Sequence, residues 1–461
     1  MWGLNMFEVY ILFNILGLLL PLISLSRLVT SKSFLKIFLL YSFVFFLYTI
    51  FLGIKIFING FNFKLIYFSS QIFQADLMFK MDLVSFLFLM LNSLIFLLIY
   101  LFKVYTIQEK LLHVFLMFLF SINNFYFLSG DPITLFLFWE AMLVPTTLIL
   151  WNFSSGNSKR NALEYILYNF TLSVFMLLGI FFLLNFKGVP GKHSILNLAT
   201  FLIFIGIMVK APVFPFHGWL ENTYYNLPSF ITGIFSAILS KYVIYAFISL
   251  INLTPYFYDI LVITVLLSVI VSSFIAISSD DFKKILVYMS MSHINVMVLG
   301  LLMIFHSPQV KYAIIIMGIV HGLISYSLFL LVQYFQELTN DLNIKNYGNL
   351  TVNYPILTLT FSFCLLTMAG FPITAYFFSE FYILSTTLKY SLLFGILLAI
   401  GISLNLIYKA KIFYYMIFKK YNVYSSLKLN ELSINYFLTS LLLFIGVVLL
   451  TIFYHNILHI K

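Results

Sequence analysis

One cysteine, Cys364, occurs in 461 residues, and charged residues make up only 9% of the chain. A single thiol excludes an internal disulfide and any iron–sulfur or zinc site built on several cysteines. Soluble domains carry charge on about a quarter of their residues, so this composition excludes one. Neither G-x-G-x-x-G nor G-x-x-x-x-G-K-[ST] occurs, which leaves nucleotide chemistry to other chains. Also lacking is a basic segment ahead of the first apolar run, which is therefore expected to be a span and not a cleaved signal. What fills the chain is apolar: 62% hydrophobic and 20% aromatic.

About fourteen apolar runs reach the roughly 18 residues needed to cross a hydrocarbon core about 30 Å thick. They cover 9–26, 34–54, 83–102, 111–129, 131–151, 162–186, 196–219, 229–251, 256–277, 285–305, 312–335, 355–385, 390–415 and 434–458. The expectation is an all-α polytopic membrane protein with a single membrane domain over 1–461. Spans 1–3 occupy 1–110, two five-span segments occupy 111–251 and 256–415, and a last span lies within 416–461. The net charge of +10 falls on loops and not on one basic face, which points to lipid and not nucleic acid. Loops after odd-numbered spans hold fifteen of the 25 Lys and Arg, Lys409 and Lys411 counted among them. By the positive-inside rule those loops face the cytoplasm or matrix, and both termini face outward. Heavy use of Phe, Tyr, Ile and Asn is expected of an AT-rich genome such as an organelle's.

Against this background six ionisable residues stand inside apolar runs: Glu140, Lys210, Lys241, His293, His321 and Glu380. A charge at the bilayer centre costs from about 3 to more than 10 kcal/mol, so such groups usually mark an ion or proton path. Two spans look broken, at Lys210 by Pro212 and Pro215, and before Glu380 by Gly370 and Pro372. Proline removes a backbone donor, and a break survives at membrane depth only where protein or a wet cavity satisfies the freed groups. The broken spans lie five apart. An odd displacement reverses topology, so spans 4–8 and 9–13 are expected to form inverted repeats. That pairing matches Lys210 with Glu380 and Glu140 with His293; equal spacing by chance is the competing account.

Depth adds an independent argument. At 1.5 Å per residue, Glu140 lies about 14 Å beyond Asp131, His293 about 14 Å beyond Lys284, His321 about 15 Å beyond Lys311 and Lys241 about 20 Å beyond Pro228. All fall in the middle third of a bilayer. An acid and an ammonium at one depth can pair, and their separation frees the lysine's proton; a static bridge between two helices is the structural alternative. Ser236 and Ser240 flank Lys241, while Ser290, Ser292, Ser325 and Tyr288 can extend a hydrated chain past the histidines. A lone histidine in an apolar helix is as often a satisfied core residue as a proton carrier. His217 reads as a capping residue, Asp82 as a surface residue, and Gly318 with Gly322 as a close-packing pair. His113, His193, His306, His455 and His459 read as structural or solvent-facing.

Five ordered segments carry a resemblance: LFLFWEAMLVPTTLILW (135–151), MVKAPVFPFHGWL (208–220), SSDDFKKILVYMSMSHINVMVLG (278–300), HGLISYSLF (321–329) and AGFPITAYFFSEF (369–381). Together the chain resembles the antiporter-like membrane-arm subunits of complex I, the proton-pumping NADH–quinone oxidoreductase. The acid after the second break is most similar to the subunit 4 branch, since related branches carry lysine there. The resemblance implies that Glu140 controls Lys210, that Lys241, His293 and His321 form a hydrophilic axis, and that Glu380 is the terminal exchange residue. It also implies no cofactor or metal in this chain. NAD, FMN, iron–sulfur clusters and ubiquinone belong to partner subunits, and neighbouring antiporter-like chains are expected beside it in a mitochondrial inner membrane. The chain departs from the family at Trp219-Leu220-Glu221-Asn222-Thr223-Tyr224-Tyr225-Asn226-Leu227-Pro228, which lacks the usual first proline, the histidine and the acid. It departs again at Tyr242-Val243-Ile244-Tyr245, where the family is rich in glycine. Two other readings compete: a subunit of a sodium/proton antiporter, and a scaffold whose polar residues only fasten helices.

Overall fold

An apolar segment in lipid has no water for its backbone, so it closes its hydrogen bonds within itself as a helix. The computed structural model describes residues 5–25, 31–59, 62–70, 75–102, 109–186, 189–251, 253–339, 341–348, 355–419 and 431–458. Its helices are α1 (Met6–Leu25), α2 (Ser31–Asn59), α3 (Leu83–Leu101), α4 (Lys110–Leu128), α5 (Pro132–Ala141), α6 (Leu143–Phe153), α7 (Ser158–Phe186), α8 (His193–Lys210), α9 (Gly218–Asn226), α10 (Ser229–Ile234), α11 (Lys241–Leu250), α12 (Tyr258–Ser278), α13 (Phe282–Met303), α14 (Val310–Thr339), α15 (Pro355–Met368), α16 (Ala375–Tyr390), α17 (Leu392–Phe413) and α18 (Glu431–Leu458). Among the described residues, 12 segments are long and apolar enough to cross a membrane.

The stretch expected as one span over 355–385 is two helices, α15 and α16, separated by a turn at 369–374. Likewise the run expected over 196–219 ends as a helix at Lys210 and resumes only at Gly218. For the last span, 434–458, the apolar stretch of α18 is Leu438–Thr451. An antiparallel hairpin, β1 (Phe63–Ser70) and β2 (Ala75–Met81), was not anticipated by a search for span-length runs. Its strands, of 8 and 7 residues, are too short to span as helices, and their aromatic residues favour pairing across a pleated ladder.

Two compact units organise the chain, 1–207 with 245–256, and 208–244 with 257–461. In the first, Asn14, Asn92, Asn123 and Asn124 are buried and bonded to one another, as when Asn92 Nδ2 donates to Asn124 Oδ1 at 2.7 Å. Asp131 caps α5 by accepting from the Ile133 and Thr134 amides at 2.9 Å, and Pro132 stands at the first helical position, where no donor is required. The same carboxylate takes the Met78 amide and so fastens the hairpin to α5. Pro145 removes the donor owed to Ala141, and the helix is interrupted at Met142, one turn before the proline.

In the second unit α13 and α14 form the core, buried along the full length of their apolar windows. Around them pack α10, α12, α16, α17 and α18. A helix that is apolar all round and still carries Ser, His and Asn must satisfy those groups against its neighbours, and the site follows from that requirement.

Candidate functional site

The first break is closed by local chemistry. After Lys210 the Val213 amide bonds Met208 O at 3.0 Å, and the Trp219 indole donates to Val209 O at 3.0 Å. The Phe214 amide finds Ser268 Oγ on α12 at 2.6 Å. Carbonyls freed by the prolines are thereby paired within protein, as membrane depth requires. Lys210 itself is buried, 6% exposed, with its ammonium 5.2 Å from the centre of the Tyr242 ring.

Residue Tyr242 follows Lys241, which is wholly buried. Immediately before Lys241 the helix widens into a π-turn over Phe235–Leu239. Such turns disturb the usual pairing of carbonyls and often occur at functional sites. Here the disturbed carbonyl is used: Lys241 Nζ donates to Ser236 O at 3.1 Å and to Ser240 Oγ at 2.8 Å. Its third partner is His321 Nδ1 on α14, at 2.8 Å. Ser236 Oγ in turn meets Ser290 Oγ on α13 at 2.7 Å.

From His321 the row continues to His293, whose ring centre lies 6.0 Å away. His293 Nδ1 pairs with the Tyr376 hydroxyl on α16. Among the described residues the Nε2 atoms of both histidines are buried without a hydrogen-bond partner. Glu380 stands one turn after Tyr376 on the same helix and is 6% exposed, directed inward and away from lipid. Five of the six expected residues thus fall in the second unit, and four of them, Lys241, His321, His293 and Glu380, lie along one buried row. Glu140 belongs to the first unit, half-buried at the end of α5, where its charge acts on Tyr165.

Sequence reasoning missed two members. Tyr376, fully buried, joins His293 to the Glu380 helix. Lys409, counted above as a loop charge, is instead buried in α17 at 4% exposure and must be removed from the loop tally. The signal was present in the helical period: Gly395, Leu398, Gly401, Asn405, Tyr408, Lys409 and Ile412 are the buried face of α17. Proximity to the end of the run concealed it. Asn405 on that face accepts from Ser273 at 2.7 Å and Ser292 at 2.9 Å, tying α12 and α13 to α17. Of the remaining expectations, His217 stands at the N-cap of α9 and Asp82 caps α3 by accepting from the Ser85 amide. His113 bonds the Tyr100 hydroxyl at 3.1 Å, a structural role. Side chains of His455 and His459 lie outside the described residues.

A row of buried lysine, histidine, tyrosine and glutamate can hand a proton along without metal-ligand geometry, and among the described residues there is no cluster of metal-ligating side chains. Comparison with known proteins follows the same line. The chain is 30% identical over 290 residues to NADH-ubiquinone oxidoreductase chain 4 of Metridium senile, covering 60% of this chain and 59% of that one. It is 29% identical over 303 residues to NADH-quinone oxidoreductase subunit M of Rickettsia prowazekii, covering 62% and 61%. The chain thus spans about three fifths of the length of these relatives. Its fold matches a chain of respiratory complex I from Thermus thermophilus with a TM-score of 0.79 at 22% identity, covering 98% of this chain and 97% of that one. Residues 129–405, which hold both breaks and all six candidate residues, match the model of the transmembrane NADH:quinone oxidoreductase/Mrp antiporter family, and the chain belongs to that family.

Proposed function

We propose that this chain translocates protons as an antiporter-like subunit in the membrane arm of a respiratory NADH:ubiquinone oxidoreductase of the mitochondrial inner membrane. The observation that carries this reading is the buried row from Lys241 through His321, His293 and Tyr376 to Glu380. Lys210 takes up a proton and hands it past Tyr242 to Lys241. Direct contact between Lys241 Nζ and His321 Nδ1 lets the lysine pass a proton to that nitrogen, and the imidazole then releases one from Nε2 toward His293. Glu380 ends the row and exchanges its proton with a neighbouring chain. No step requires a redox group here; NADH oxidation and quinone reduction are the work of partner subunits, with FMN and iron–sulfur clusters among their cofactors. The two five-span segments, 111–251 and 256–415, act as opposed halves, with the break after Lys210 in one corresponding to the break before Glu380 in the other.

Lys241→Met in the assembled complex tests the reading. Proton translocation per NADH oxidised should fall at least about tenfold, or ~1.4 kcal/mol of barrier, while subunit composition is retained. Full pumping by that variant would refute it. The family also contains Mrp antiporters, and an absolute sodium requirement for transport would favour a sodium/proton antiporter instead. Loss of assembly with pumping intact in the remaining complex would favour a scaffold.

A further inference from the structure

Lys409 is a buried cation that the row described above leaves unassigned. Helix α15 ends in a Schellman motif: the Phe371 amide bonds Leu366 O at 3.1 Å, the Gly370 amide bonds Thr367 O at 3.0 Å, and Gly370 takes φ +74°. That motif leaves the carbonyl of Met368 as an orphan of the helix end. Lys409 Nζ donates to it from α17. On the other side of the same turn, Glu380 Oε2 lies 3.0 Å from where a Cβ on Gly370 would stand. Ammonium and carboxylate are therefore anchored two residues apart along one turn. Their charges act on each other, and among the described residues they make no direct ion pair within 4 Å. The Lys409 charge also reaches His293 and His321.

We propose that Lys409 is a positioning residue of the relay, a second lysine whose charge pairs with Glu380 across the α15–α16 turn and governs when that acid holds its proton. This rests on the relay reading. Lysine carries a compact charge on a flexible stem, suited to moving between two acceptors. When Glu380 is ionised, Lys409 leaves Met368 O for the carboxylate; when Glu380 is protonated, it returns to the carbonyl. No bond to carbon changes, and the transferred proton is the one that Glu380 takes from, and yields to, the row. Groups facing the pair are Tyr376 on α16, Tyr408 on α17, His293 on α13 and His321 on α14. Helix α15 carries no charged residue, and those of α12 and α18, Asp259, Glu431 and His455, stand near the ends of their helices.

A structural cap needs only a donor at Met368 O, whereas the proposed role needs charge. Lys409→Gln keeps the donor and removes the charge; Lys409→Arg keeps both. In the assembled complex reconstituted in liposomes, K409Q should pump about tenfold less at neutral pH, equivalent to ~1.4 kcal/mol of lost pairing. Its pH profile should be displaced, and K409R should recover at least about half of the activity along the original profile. Wild-type pumping and pH profile in K409Q, or no recovery in K409R, would overturn the proposal. If K409Q does not assemble, the double variant E380Q/K409Q decides: restored assembly supports charge pairing, and continued failure refutes it. Normal pumping by E380Q sinks the relay reading itself, whereas a dead E380Q beside a normal K409Q sinks only the role of Lys409.

Discussion

The Trp219 indole shows what a single atom does at a broken helix. Its N–H satisfies Val209 O, next to Lys210. Trp219→Phe keeps the ring and deletes the donor, so a buried carbonyl is left unpaired at about 1–3 kcal/mol. Thermal unfolding of the detergent-solubilised complex should report that loss, with proton translocation falling in step because Lys210 is no longer held. At the second break Gly370 is required twice over, by φ +74° and by the 3.0 Å approach of Glu380. Gly370→Ala should cost about 1–2 kcal/mol in backbone strain and displace the carboxylate, lowering pumping more than stability. Tyr376→Phe is the converse case: packing survives, but His293 loses the hydroxyl that links it to α16. We expect pumping in that variant to drop about tenfold or more, with the melting temperature lowered only by the one buried hydrogen bond lost.

Between elements, polar side chains do what apolar packing cannot in lipid, where helices gain nothing from burying one another's apolar surface. Asn405 joins three helices at once, and Lys284 pairs with Glu221 at 2.6 Å to hold α9 against α13, with Tyr288 donating to the same carboxylate. The α12–α13 loop is clamped by Asp280, which binds Lys345 and Lys411. Hydrogen bonds from Lys345 and then Lys411 hold its carboxyl below the usual carboxylate range. A carboxyl depressed in the folded state stabilises above its unfolded value, near pH 4, and the contribution fades as pH falls through the lower folded value. Asp280→Asn should therefore lower the melting temperature at neutral pH and make no difference at strongly acid pH. An equal loss at both would show that the loop is held by packing alone.

For the whole molecule the open matter is orientation. Cys364 is buried, so it makes a silent background for labelling. Cysteines introduced at Ser155, between α6 and α7, and at Lys192, between α7 and α8, should react with an impermeant maleimide from opposite faces of sealed vesicles. Ser155 is expected on the matrix or cytoplasmic side. Labelling of both from one face would refute the topology. The Tyr421–Leu429 loop assigned to that same side lies outside the described residues, so these two loops carry the test.

Composition and run length alone determined that the chain is a multi-pass helical membrane protein, because lipid permits few other solutions for so apolar a backbone. The places of both breaks were equally legible, since proline and glycine act through their own covalent geometry. Ionisable residues deep in apolar runs marked the site for the same local reason: their cost does not depend on which neighbour they meet. What the sequence left open was who pairs with whom. That Lys241 meets His321 directly, that Tyr376 joins His293 to the Glu380 helix, and that Lys409 is buried and not in a loop follow from the packing of α13, α14, α16 and α17. A buried polar group takes the partner that packing brings within about 3 Å, and nothing in its own neighbourhood along the chain encodes that distance.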